Sequence, residues 1–243
     1  MTDWNEKRYW LIGASEGLGR ALAHQLSRVG VEVILSARSK ERLEELAEEL
    51  PGRAKAVACD VSSLESVTKA AEEVGDVDGV IYLAGVYWPM EPKDIDAEKM
   101  ALMADVNLGG AMRVAGVMVP KFVEQDRGHL IFTGSLSGFR GLPGAVGYGA
   151  SKAGVMSLAE TLHADLRKTG VRVQLVNPGF IKTRLTEKND FKMPFLMEPD
   201  DAAREIFDHM NSPSFARSFP TVFSWLFRVA KILPDWAYFR IVS

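Results

Sequence analysis

A chain of 243 residues, 47% hydrophobic and 25% charged, has the make-up of an ordinary globular protein and enough apolar surface for one α/β core. Its net charge of -3 gives no electrostatic reason to expect nucleic acid as a partner. Cys59 is the only cysteine, which excludes an internal disulfide and a cysteine metal cluster.

Residues 1–10 are polar and run directly into a strand, unlike a signal peptide. With the single cysteine, this fits a reducing compartment, and a cytoplasmic protein is expected. No stretch of about 20 uncharged apolar residues predicts a spanning helix. Residues 10–12 read as a strand, 17–29 as a helix stopped by Gly30, and 31–37 as a β-branched strand. Residues 39–50 are charged and helical, 54–59 form the next strand, and Ser62 with Glu65 make a capping-box pattern for a helix to about Val74. A buried strand at 79–83, a long helical region at about 97–126 and a strand at 128–134 follow. Next come a helix at 147–169 and a strand at 171–176. The strands are continuous apolar runs rather than alternating ones, as burial on both faces requires. The expected fold is therefore α/β: a doubly wound parallel sheet in three α/β/α layers, a Rossmann fold. It is read as one domain over 1–243, with 184–243 as substrate lid and C-terminal appendage. His24, His129, His163 and His209 lie far apart, without a metal-binding spacing, and read as surface or helix-face residues with no metal role.

The first strand leads into Gly13-Ala14-Ser15-Glu16-Gly17-Leu18-Gly19 and then a helix. In a doubly wound sheet this turn meets a dinucleotide pyrophosphate: glycines admit close backbone approach, and the helix N-terminus offers unpaired N–H groups. The second strand ends at Ala37-Arg38, where NAD-preferring sites place a carboxylate. A guanidinium there can pair with a 2′-phosphate, so NADP(H) is the expected cofactor.

Tyr148 and Lys152 stand four apart on a helical pattern and so share one face. A phenol with a pKa of about 10 is a poor base at neutral pH, and bringing it to neutrality takes roughly 4 kcal/mol of differential stabilisation. A nearby cation works in that direction. In reduction the same phenol would give a proton to a carbonyl oxygen. Ser135 follows the strand at 128–134, at the end of the sheet where ligands sit, and can hydrogen-bond the reacting oxygen. Ser137 is a competitor for that role and reads better as a turn serine.

These motifs together resemble the short-chain dehydrogenase/reductase family over roughly residues 8–185. The glycine turn, Asp60-Val61 and Tyr82-Leu83-Ala84-Gly85 resemble successive family motifs, the last in place of Asn-Asn-Ala-Gly. So do Asn107, Ser135, Tyr148, Lys152, and Asn177-Pro178-Gly179 with Ile181 and Thr183. The resemblance implies a catalytic set of Asn107, Ser135, Tyr148 and Lys152. Lys152 would bind the nicotinamide ribose and depress the Tyr148 pKa, and Asn107 would position a water. It further implies that Ser15, Glu16, Leu18, Asp60, Val61, Ala84, Gly85, Pro178, Gly179, Ile181 and Thr183 line the cofactor. Hydride transfer needs no metal. Ile12, Tyr82-Leu83 and Glu16 depart from the family pattern, which leaves Arg38 as the main cofactor discriminator.

After Thr183, the apolar Leu185, Phe191, Met193, Phe195 and Leu196 read as a lid suited to an apolar substrate, or as a segment packing on the core. Pro199 to Met210 reads as a capped helix. Residues 219–227 are strongly apolar but too short to span a bilayer, and Arg228, Lys231 and Arg240 follow. This tail could be a cover over the pocket, a dimer arm, or an interfacial segment in peripheral membrane contact. Packing or oligomerisation is the favoured of these, and a homodimer or homotetramer is the expected assembly. The expected activity is reversible hydride transfer between NADP(H) and a carbonyl or secondary alcohol, on an apolar small molecule. A catalytically silent NADP-sensing or scaffold protein and a nucleotide-sugar epimerase or dehydratase are the competing readings.

Overall fold

The computed structural model describes residues 3–242. Seven strands, β1 (Arg8–Ile12), β2 (Glu32–Ala37), β3 (Ala54–Ala58), β4 (Gly79–Tyr82), β5 (Gly128–Thr133), β6 (Val171–Pro178) and β7 (Ala216–Phe219), form one sheet in the order β3-β2-β1-β4-β5-β6-β7. Every neighbouring pair is parallel. The sequence reverses direction between β1 and β4, and the C-terminal ends of these central strands open the crevice where ligands bind in such sheets. The expected doubly wound α/β fold is the observed one.

The strand runs are apolar throughout because both faces are covered. Alternate residues point to opposite sides. Leu11 and Val33 join one core with Leu22 of α1 (Gly17–Arg28), Leu43 of α2 (Lys40–Glu49) and Ile206 of α7 (Pro199–Met210). Trp10 and Ile34 join the other with Val67 of α3 (Leu64–Val74), Val114 of α5 (Gly110–Glu124) and Val155 of α6 (Val146–Leu166). Before α5 come α4 (Ala97–Met103) and a π-helical turn, Ala104–Gly109. The continuous helix Ala97–Glu124 is long and apolar enough to cross a membrane by length and composition. It packs against α3 and α6, however, and carries an Asp105–Arg113 ion pair at 2.6 Å, as a core helix does.

Four local expectations are corrected. The cap of α3 is Ser63, which accepts from the Ser66 amide at 3.1 Å, because the Ser62 hydroxyl donates to Asp60 at 2.6 Å instead. The α7 helix starts with Pro199 at its first turn but has no side-chain cap. The C-terminal region supplies α7 and β7 to the layered body before it becomes an appendage of α8 (Thr221–Ile232) and α9 (Asp235–Val242). Two histidines are interior: His129 is buried between the Tyr9 hydroxyl and Gln174, both at 2.9 Å, and burial pushes its pKa down to about 3. His209 is also buried, against the Phe215 carbonyl at 3.2 Å.

Candidate active site

The cofactor side is built by the turn between β1 and α1. Gly13 has φ +94°, and a Cβ there would stand 2.6 Å from the Ala84 amide nitrogen. The turn is thus pressed against the Ala84-Gly85 segment that follows β4. Gly17 has φ +54°, and its Cβ would meet the Thr183 methyl at 2.9 Å, so Thr183 stands directly over the turn. Helices α2, α3 and α4 are capped by Ser39, Ser63 and Asp96, whereas Glu16 gives α1 no side-chain cap. The first turn of α1, which follows the positive-φ glycines, is open to an external acceptor such as a pyrophosphate. Ser15 and Leu18 belong to the same turn. Glu16 is held between Arg184 at 2.7 Å and Arg42 at 3.7 Å. At the end of β2, Arg38 is exposed. Asp60 stands after β3 and accepts from the Ser62 amide and hydroxyl, which hold its carboxyl below the usual range with help from the Arg38 charge. Pro178 ends β6, Ile181 is buried beside it, and Gly179 donates its N–H to the Phe219 carbonyl at 2.7 Å.

The reactive wall lies one strand over. Ser135 is buried where β5 breaks into a short 3-10 turn, and its Oγ accepts from the Ser137 amide at 3.2 Å and the Ser137 hydroxyl at 2.9 Å. Ser135 and Tyr148 line the same cavity, and the Ser135 hydroxyl works to lower the Tyr148 pKa. Tyr148 opens α6 and is half-buried. Lys152, one turn on, is buried and donates to the Thr133 carbonyl at 2.8 Å, with Nζ 5.7 Å from the centre of the Tyr148 ring. Ser135, Tyr148 and Lys152 thus meet at one point, as their spacing predicts.

Burial dominates the electrostatics of the site's own side chains. Burial pushes the Tyr148 phenol up to about 12; the Ser135 hydrogen bond works against this and Tyr87 adds to it. Burial also pushes the Lys152 ammonium down to about 8. Desolvation, not Lys152, governs the phenol, because Lys152 is itself desolvated and faces the Thr133 carbonyl. The Asn107 side chain is also tied into the protein. Its Oδ1 accepts from the Val86 amide at 2.8 Å, and its Nδ2 donates to the Val86 carbonyl at 3.0 Å and the Ser151 hydroxyl at 2.9 Å. Both N–H donors are consumed, so the side chain braces the segment after β4 against α6. Tyr82, in the place of a family asparagine, is fully buried and donates to the Val106 carbonyl at 2.6 Å, tying β4 to the π-helical turn that carries Asn107.

A cavity of about 900 Å³ opens from Ser135 and Tyr148. Its walls are mostly apolar: Met90, Leu136, Val146, Phe180, Leu185 and Phe191, with Phe223 and Phe227 from the inner face of α8. Tyr87, which sequence reasoning passed over, meets Tyr148 edge to face at 4.9 Å and donates its hydroxyl to Asn189 of the lid at 2.8 Å. The lid is pinched at its base by the Ile181–Met197 bridge. Phe195 sits at φ +55°, a left-handed conformation unfavourable for an aromatic residue, with its ring 5.4 Å from Phe223. No short-range pattern signals Tyr87 or Phe223, which come from a loop and from the tail.

A family model described as short chain dehydrogenase matches residues 7–193. An uncharacterized oxidoreductase of Myxococcus xanthus (strain DK1622) is 38% identical over 242 residues, covering 97% of this chain and 96% of its own length. Among solved structures, an alcohol dehydrogenase from the archaeon Thermococcus sibiricus complexed with 5-hydroxy-NADP is 27% identical with a TM-score of 0.80, over 88% of this chain and 95% of that one. A short chain dehydrogenase/reductase from Burkholderia phymatum in complex with NAD has a TM-score of 0.86 over 95% and 94% of the two chains. At 23% identity it is a likeness of fold alone.

Proposed function

We infer that this chain, which belongs to the short-chain dehydrogenase family, is an NADP(H)-dependent oxidoreductase acting on an apolar carbonyl or secondary alcohol. The observation that carries the reading is that Ser135 and Tyr148 line a largely apolar cavity, with the buried Lys152 Nζ 5.7 Å from the centre of the Tyr148 ring, on the same side of the sheet as the glycine turn that opens α1. The uncapped turn at Gly13–Gly19 would hold the pyrophosphate, and Lys152 the nicotinamide ribose. The exposed guanidinium of Arg38, with no carboxylate at Ala37, favours a 2′-phosphate over a free ribose hydroxyl. The relative that binds an NADP derivative supports the same preference. When bound, the nicotinamide supplies or accepts the hydride.

The protein's own contribution is proton delivery and positioning. The hydroxyls of Ser135 and Tyr148 converge on the place a carbonyl oxygen would take. A phenol pushed up to about 12 is protonated at neutral pH, which suits it to donate a proton as an alkoxide forms. The apolar walls and the lid keep water from this transfer. The test compares kcat/KM for NADPH and NADH across apolar ketones, aldehydes and 3-oxoacyl thioesters. Turnover with NADPH preferred is expected; a preference for NADH refutes the cofactor assignment, and tight NADPH binding without turnover on any substrate refutes the activity.

A further inference from the structure

We propose that the outer face of the C-terminal α8–α9 segment docks on an anionic lipid surface and turns the mouth of the substrate cavity toward it. Helix α8 is apolar on two sides. Phe223 and Phe227 face inward and line the cavity. At 100° per residue, Val222, Trp225, Leu226, Val229 and Ile232 share a second arc of about 120°. That arc is open to solvent, with Trp225 57% and Ile232 80% exposed, and α9 extends it with Trp236 at 75%. The surface continues onto the lid, where exposed Phe195 packs on Phe223.

A polar staple, not burial of the outer face, ties the segment to the loop at Arg140-Gly141. Arg140 donates to the carbonyls of Ala230 and Leu233, both at 2.6 Å, and to Asp235 at 2.5 Å, and it stacks 4.1 Å over the Tyr238 ring. The Tyr238 hydroxyl donates to the Gly141 carbonyl at 2.6 Å.

Charge selects the occupant. In a chain of net charge -3, residues 219–243 carry Arg228, Lys231 and Arg240 against one carboxylate, Asp235, and Arg140 already pairs with it. All three cations are exposed, and Arg228 lies 5.4 Å over the Trp225 ring at the edge of the apolar arc. Apolar residues with Trp inward, Arg228 beside the arc and the further exposed cations Lys231 and Arg240 on the same segment match a headgroup boundary. A second copy placed on this face by a two-fold axis would instead bring like cations together without carboxylates to meet them. The docking stands apart from the proposed activity; only its consequence, that an apolar substrate enters from the lipid, rests on that reading.

The test uses the full chain in co-sedimentation with phosphatidylcholine vesicles, with and without phosphatidylglycerol. Wild type should pellet with the phosphatidylglycerol vesicles and be released by salt. The double variant Trp225→Ser, Trp236→Ser should partition about 10-fold more weakly. The triple variant Arg228→Gln, Lys231→Gln, Arg240→Gln should lose the preference for anionic lipid. These side chains are exposed, and circular dichroism checks that both variants fold as wild type does. NADPH binding on the same samples reports separately on the oxidoreductase reading. Absence of vesicle binding by wild type, or equal binding by the double variant, overturns the proposal. So does a lipid-free dimer, seen by sedimentation equilibrium, that the double variant splits while vesicles bind neither protein.

Discussion

The proposed role of Tyr148 as proton donor, with Ser135 and Lys152 beside it, can be tested residue by residue. Replacing Tyr148 with Phe should lower the reduction rate by about 10²–10⁴-fold while leaving the NADPH dissociation constant near that of wild type. Single-turnover kinetics with fluorescence titration would check both, and retained turnover would remove the phenol from the mechanism. Lys152 gives the pH dependence. Its pKa in the folded protein is lowered to about 8, so it is charged below that pH and neutral above. A role that needs the ammonium, holding the nicotinamide ribose, is then lost as pH rises through about 8, whereas Tyr148, at about 12, keeps its proton. The kcat/KM for NADPH should fall on the alkaline side of that point, and a flat profile would show that the charge is not used. Ser137 has a smaller part: its hydroxyl holds Ser135 in place at 2.9 Å. Ser137→Ala removes one hydrogen bond of about 1 kcal/mol and should cost kcat roughly fivefold, well short of the loss from Ser135→Ala, in parallel steady-state assays. The sequence identified Ser135, Tyr148 and Lys152 because strand end and helix spacing fix their positions. The backing of Ser135 by Ser137 was hidden, because a turn serine and a positioning serine look the same in one dimension.

At the scale of elements, most strands and helices were legible because two-sided burial leaves short, β-branched apolar runs whose length and flanking turn residues separate them from the longer helical patterns. β7 was not: Ala216-Arg217-Ser218-Phe219 has no apolar run, since it is a sheet edge paired only with β6. The Ser62-for-Ser63 error has the same origin, two adjacent serines of which Asp60 captures one. The π-helical turn had no signature either, yet it places Asn107 against Val86 and Ser151 and presents the Val106 carbonyl to Tyr82. The tyrosine in place of an asparagine thus acts as a strut between β4 and this turn. Tyr82→Phe leaves a buried carbonyl unpaired and should destabilise the fold by about 1–3 kcal/mol, read from urea unfolding, with a loss of activity through displaced Asn107. Unchanged stability would mean that the turn is held by its helical neighbours alone.

On the scale of the whole molecule, the catalytic turn and the C-terminal tail are one mechanical unit. Arg140 lies two residues beyond the 3-10 turn that starts at Ser135, and it closes the C-terminal end of α8, whose exposed carbonyls attract a cation. Through α8 it sets the position of Phe223 and Phe227, which are walls of the cavity, and through the Phe195–Phe223 contact it reaches the lid. Arg140 thus bears on the cavity's shape without lining it. Arg140→Ala frees two helix-terminal carbonyls, unpairs Asp235 and uncovers Tyr238. The glycine turn and Lys152 lie on other elements and should be unaffected. Charge-assisted hydrogen bonds of this kind are worth about 1.5–3 kcal/mol, so KM for an apolar substrate should rise about tenfold or more, with the NADPH dissociation constant unchanged. Hydrogen exchange should speed up across 221–242 while the amides of β1, β4 and β5 remain protected. If exchange in the tail is unaltered, the ring packing of Phe180, Phe195 and Phe223 holds α8 without the staple, and the coupling from the Ser135 turn to the tail does not exist.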